Sequence, residues 1–207
     1  MKTTVLLLAL LITNSMFAQS AYEKGMANGM QLWQSGKNTE AAAQFERIAQ
    51  VEKDNWIPAY YQSFITILSA FNAKDADSKM SLIKTAKTIL DAYAAQHNNP
   101  EWLVLKAMNY TAELTTDPMT KAQELSPLII ATYEKAKAIA PENPRVILSL
   151  AQFQMQSKKY FHQDTSAECE SIKKALHLFD TQKSETAFAP SWGKEQAEQI
   201  VSSCTSK

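Results

Sequence analysis

Pro58, Pro100, Pro144 and Pro190 stand 42, 44 and 46 residues apart, each at the head of a segment with helical apolar spacing. Proline is tolerated in the first turn of a helix, because the N–H it lacks would have no intrahelical partner there. A recurrence of this size points to stacked supersecondary units that bury their faces on one another. Sliding the chain by 44 residues strengthens the pattern. Thr88 then falls on Thr132, Ala92 on Ala136, Ala94 on Ala138 and Ala107 on Ala151, while Asn99-Pro100 falls on Asn143-Pro144. Alanine is abundant enough to match by chance; an Asn-Pro pair at a shared helix junction is more specific.

The segments between the breaks read as helices throughout. Glycine is scarce, at four residues, and Ala, Lys, Glu, Gln and Leu dominate, which favours helix over strand. The spacing predicts helices over about 22–35, ending at Gly36, and 39–53, capped by Thr39. A third carries Pro58 in its first turn and reaches Asn72. A fourth starts at Asp77 or Ser78 and ends near Gln96; a fifth runs from Pro100 to the "TTDP" break at 115–118. A sixth ends at Ala140, a seventh opens at Pro144, an eighth covers 167–180, and "APSW" at 189–192 opens the ninth.

These residues resemble the tetratricopeptide repeat. Gly29, Leu32, Gly36 and the Ala41-x3-Phe45 pair follow that family's pattern, as do Tyr133, Ala136, Ile139 and Pro141, and Leu103, Ala107 and Tyr110. The family repeat is 34 residues and the spacing here is longer, so the resemblance is to a divergent array. It implies an all-α solenoid of about four antiparallel helix pairs plus a C-terminal helix, in a single domain over 21–207. An irregular α-helical bundle is the plainer alternative. The resemblance also implies a concave groove lined by the first helix of each pair. Met30, Trp33, Tyr61, Ile65, Val104, Met108, Leu148, Gln152 and Met155 would lie along it, an apolar set suited to an apolar protein segment. The same stripes also fit a helix core. The family's clamp for a terminal carboxylate uses cations, and only Lys106 and Arg145 stand near its positions.

Residues 1–20, MKTTVLLLALLITNSMFAQS, have the layout of a secretory signal peptide, with Lys2, the apolar run Val5 to Ile12, and cleavage after Ala18 or Ser20. That run is too short to span a bilayer, which takes about 20 apolar residues. The leader has no cysteine to carry a lipid. The expectation is an exported protein, periplasmic or secreted, without membrane insertion. Lysine plus arginine equals aspartate plus glutamate at 21 each, and the charges are interspersed, so the basic footprint that nucleic-acid binding rests on is absent.

Little in the chain carries chemistry. His162 lies near Asp164, Glu168 and Cys169, the one local cluster of candidate metal ligands, but the spacing matches no established zinc pattern and a helix start collects such residues anyway. His97 and His177 have no such company. A nucleophilic Cys169 paired with His162 or His177 is the corresponding enzymatic reading. The two cysteines suit an exported chain with one disulfide, Cys169–Cys204, if the last two helices pack antiparallel and bring both to one end. No residue pattern requires a cofactor. Three functions remain: an exported non-enzymatic protein-binding scaffold, which is favoured; a metal-binding or enzymatic protein centred on His162, Asp164 and Glu168; and a self-assembling structural protein.

Overall fold

The computed structural model describes residues 21–94, 99–184 and 186–204, with the side chain of residue 94 excepted; the expected leader and the His97 loop lie outside them. Among the described residues the protein is all-α, with nine helices and no strand. They are α1 (21–34), α2 (Asn38–Val51), α3 (Trp56–Asn72), α4 (Ala76–Ala94), α5 (Pro100–Leu114), α6 (Pro118–Ile139), α7 (Pro144–Tyr160), α8 (Ser166–Thr181) and α9 (Lys194–Cys204). The first stop is the expected one. Gly36 adopts φ 75°, and its N–H and that of Lys37 bond to the carbonyls of Trp33 and Leu32, a Schellman motif. Three starts differ from expectation, those of α2, α4 and α9. Thr39 lies inside α2, which begins after Lys37 with no side-chain cap, and α4 begins at Ala76, where the Asp75 carboxylate accepts the Ser78 N–H at 2.8 Å.

Proline opens its helix at three of the four expected seams. Pro100 and Pro144 are the first residues of α5 and α7, and Pro58 sits in the first turn of α3. The asparagines before them explain the shared register. Asn99 Oδ1 accepts the Glu101 N–H at 3.0 Å, and Asn143 Oδ1 accepts those of Arg145 at 2.9 Å and Val146 at 3.3 Å. Each satisfies helix-start donors that lack intrahelical partners. The fourth seam fails. Pro190 opens no helix; α9 starts at Lys194, after Gly193 turns the chain with φ 109°. A Cβ on Gly193 would lie 2.7 Å from Phe179 Cζ and 3.2 Å from Leu148 Cδ2, so close approach and backbone conformation both demand glycine.

The chain divides within α3 into two compact units, Met1–Thr66 and Ile67–Lys207. In the first, Phe45 stacks on Tyr61 with centroids 5.3 Å apart, and Trp33 meets Phe64 edge-on at 5.6 Å. Gly29 faces this cluster so closely that a Cβ would come within 2.7 Å of the Phe45 ring. In the second unit α4 packs on α5, α5 on α6, α7 on α8 and α8 on α9, with α7 also meeting α5 and α6. One apolar cluster joins Val104 and Ala107 of α5, Leu125, Ile129, Tyr133 and Ala136 of α6, and Val146 and Leu150 of α7. Burial pushes the Tyr133 phenol well above its ordinary pKa, partly offset by a hydrogen bond with Thr111. A second cluster joins Leu148, Ala151 and Met155 of α7 to Ile172 and Ala175 of α8 and Ala197 of α9.

Burial separates the helices into two kinds. Residues 144–151 of α7 are all buried, and in α3 every residue from 57 to 67 except Gln62 is buried. The even-numbered α2, α4, α6 and α8 bury a stripe and expose the rest, as surface helices do.

The two Asn-Pro seams are joined directly. Glu101 Oε1 accepts Arg145 Nε at 2.8 Å and Asn143 Nδ2 at 2.7 Å, and the Glu101 and Arg145 side chains are only 6% and 7% exposed. Each residue follows the proline of its own seam, so positions equivalent under the 44-residue repeat carry opposite charges and bond to one another. Removing one partner of such a pair leaves an uncompensated buried charge. Glu101→Ala should therefore lower the unfolding free energy by about 3–5 kcal/mol in urea titrations. Glu101→Met with Arg145→Leu should recover most of that loss; equal damage from single and double variants would contradict this account.

Candidate functional site

The end of α7 combines the features most suited to a ligand. Its last turn carries Lys158 and Lys159, which favour the C-terminal carbonyls. The chain then turns through a second Schellman motif, in which the N–H groups of His162 and Gln163 bond to the carbonyls of Lys159 at 3.1 Å and Lys158 at 2.9 Å. The residue in the left-handed position is His162, with φ 54°, where α1 uses glycine. It is the one non-glycine residue with positive φ among the described residues. Histidine visits this region more readily than most side chains but still pays a steric cost.

Two aromatic residues directly precede this strained residue. Tyr160 is 72% exposed and Phe161 64% exposed, with centroids 5.1 Å apart and planes at 87°. Single exposed apolar side chains are ordinary; two adjoining aromatic rings beside an exposed histidine form a patch.

The patch stands on a rigid base. Lys158 Nζ pairs with Glu168 Oε1 at 2.8 Å, tying the end of α7 to the start of α8, and Glu168 is 7% exposed at the side chain. The next residue, Cys169, is joined by a disulfide to Cys204 at the end of α9, 35 residues later. Both cysteines pack against the cluster shared by α7, α8 and α9.

The structure does not assemble the metal or catalytic reading of this region. The Asp164 carboxylate bonds the Ser166 hydroxyl at 2.8 Å and its N–H at 3.3 Å, which holds its pKa below the ordinary aspartate value; Glu168 is taken up by Lys158. Among the described residues no group of three His, Cys, Asp or Glu side chains is placed to hold a metal ion. Cys169 is in the disulfide, so it offers no thiolate, and His177 is a separate exposed residue of α8.

The groove expectation needs correcting at five of its nine positions. Tyr61, Ile65, Val104, Leu148 and Met155 are between 0% and 2% exposed, and side chains so buried line no open groove. Met30, Trp33, Met108 and Gln152 are half-buried; Trp33 is packed on Tyr61 and Phe64, and Met108 rests against the α5–α6–α7 cluster. The cause is that α3, α5 and α7 are enclosed over most of their surface, so their apolar positions serve as core. Arg145, one of the two clamp candidates, is committed to Glu101. Sequence reasoning placed His162 in its cluster but passed over Tyr160 and Phe161, although "YFH" just before the Asp-Thr-Ser run of a helix start was the available signal.

No helix among the described residues is long and apolar enough to cross a membrane, and the disulfide fits an oxidising compartment. What these features define is an all-α chain stapled at its C-terminal helices, with an aromatic turn exposed beside the staple. No protein-family model matches the chain, and no curated protein matches it. A solved structure does: the HusA haemophore from Porphyromonas gingivalis is similar at a TM-score of 0.77 and 26% identity, over 88% of this chain and 92% of that one.

Two stability measurements check this geometry. His162→Gly should raise stability by on the order of 1 kcal/mol, because glycine adopts the left-handed conformation without a Cβ clash. Cys169→Ala with Cys204→Ala should lower it by roughly 3–4 kcal/mol, as expected when a loop of this length is no longer closed in the unfolded chain.

Proposed function

We propose that this chain is an exported, non-enzymatic binding protein whose cargo is haem or a closely related tetrapyrrole. The observation that carries this reading is the likeness to a haemophore across nearly the whole described fold, at 26% identity. Three features of the chain support it independently. Residues 1–20 have the layout of a secretory leader, a disulfide pins the last helix, and an aromatic turn with a histidine lies open to solvent. Haem in this reading is cargo, held and released, so the protein needs no catalytic constellation.

We read the helix pairs as divergent tetratricopeptide-type units. Gly29 packed under Phe45, and Tyr133 and Ala136 buried at their family positions, support that reading. An apolar protein segment is the alternative occupant that such an array suggests, yet five of the nine positions named for it are buried.

The test is a titration of the mature, disulfide-bonded protein with ferric haem, followed by the absorption band of the porphyrin. Saturable binding with a Kd below about 1 μM, or about −8 kcal/mol, is the expected result. A featureless, non-saturating signal equal to that of an unrelated helical protein would remove the proposal.

A further inference from the structure

We infer that the turn at residues 160–162 is where the cargo docks, with Tyr160 and Phe161 as the stacking surface and the His162 imidazole as a ligand to the iron; this rests on the haem reading above. The argument begins with backbone strain. Two helices of this chain end in the same Schellman motif, and at Gly36 the left-handed position is filled by glycine, with nothing within 4 Å of a Cβ placed there. At the end of α7 the same position holds His162, whose imidazole bonds to no other described residue and stands in solvent. A strained side chain that contributes nothing to packing points to a role outside the fold.

The neighbouring residues give that role a chemistry. Tyr160 and Phe161 are the two exposed aromatic rings with the largest open area among the described residues. Because their planes are nearly perpendicular, a planar ligand lies flat on one ring and meets the edge of the other, the two aromatic contact geometries that the ring quadrupole favours. Imidazole is a common haem-iron ligand, and the exposed Lys159 supplies positive charge for the carboxylates that haem carries at one edge. Lys158 is held by Glu168, and Asp164 is turned into its own helix start by Ser166, so neither stands ready to oppose the ligand. Planar apolar face, nitrogen ligand and adjoining cation together match an iron porphyrin better than a peptide, which has no use for an open nitrogen ligand.

The platform is also well supported. Its position is set by the buried α7 on one side and by the Lys158–Glu168 pair and the Cys169–Cys204 disulfide on the other. Sites carried on rigid elements hold their geometry better than sites on free loops.

The experiment compares ferric haem with metal-free protoporphyrin on the full mature chain and two variants. His162→Gly, which keeps the backbone turn and raises stability, should weaken ferric haem binding about tenfold or more and change its absorption spectrum. The same variant should leave metal-free protoporphyrin within about twofold of the parent protein, since no iron is there to be ligated. Tyr160→Ala with Phe161→Ala should weaken both ligands about tenfold, and circular dichroism should show the fold intact because both rings are exposed. If the parent binds haem and both variants bind it equally well, the site lies elsewhere and this inference falls while the haem reading stands. Equal loss of both ligands on His162→Gly would overturn the iron-ligand assignment. A parent that binds neither ligand would overturn the haem reading and this inference with it.

Discussion

Glu101 and Arg145 face each other across a site almost closed to water, and the helix starts of α5 and α7 are locked in register by that contact. Charges taken out of water are costly unless they are paired and hydrogen-bonded, and here Asn143 adds a second donor to the same carboxylate oxygen. The arrangement discriminates against alternatives. Any slip of α7 along α5 would separate the pair and leave two buried charges opposed by nothing. The apolar cluster of Val104, Ile129, Tyr133 and Val146 supplies attraction without direction, since hydrophobic burial is nearly indifferent to small shifts. The ion pair supplies direction. With α7 set in place, its buried first half becomes the base on which α8 and α9 assemble.

The C-terminal part of the second unit follows from that base. Leu148, Ala151 and Met155 of α7 receive Ile172, Ala175 and Ala197, and Gly193 lets the chain pass close to Phe179 and Leu148 before α9 begins. The disulfide then fastens α9, the helix at the end of the described chain, to the start of α8. The end of α7 is left as a projecting corner, where Tyr160, Phe161 and His162 are carried on a stiff frame without taking part in it. The side chains of this corner take no part in holding it: each of the three is exposed, and the bonds that hold the turn are backbone bonds and the Lys158–Glu168 pair.

The organisation of the helices was legible in the residue order because its signals are local. Asn99-Pro100 and Asn143-Pro144 mark helix starts through a cap and a fixed φ, and Gly36 marks a stop through its tolerance of positive φ; none of these depends on distant contacts. The error at Pro190 shows the limit of such signals. "APSW" has the same local form, but Gly193 must pass under Phe179, a residue more than a dozen positions earlier, and that contact delays α9 to Lys194. Five of the nine groove positions proved to be core for a related reason. Whether Tyr61, Val104 or Leu148 faces ligand or core depends on how many neighbours surround its helix, and apolar spacing is the same in both cases.

The candidate site divides along the same line. His162 and the cysteines could be picked out as residue types, and the Cys169–Cys204 pairing followed from where each stands on its helix. That Asp164 and Glu168 are occupied by Ser166 and Lys158, and so no metal cluster forms there, is a matter of side-chain partners. The sequence by itself determined the all-α class, the helix order and three of the four proline seams, because caps, prolines and glycines act on their immediate backbone. Tertiary structure alone decided which helices are enclosed, which charges pair, and that two aromatic rings beside a strained histidine stand in solvent, because exposure is a property of neighbours brought together from far along the chain.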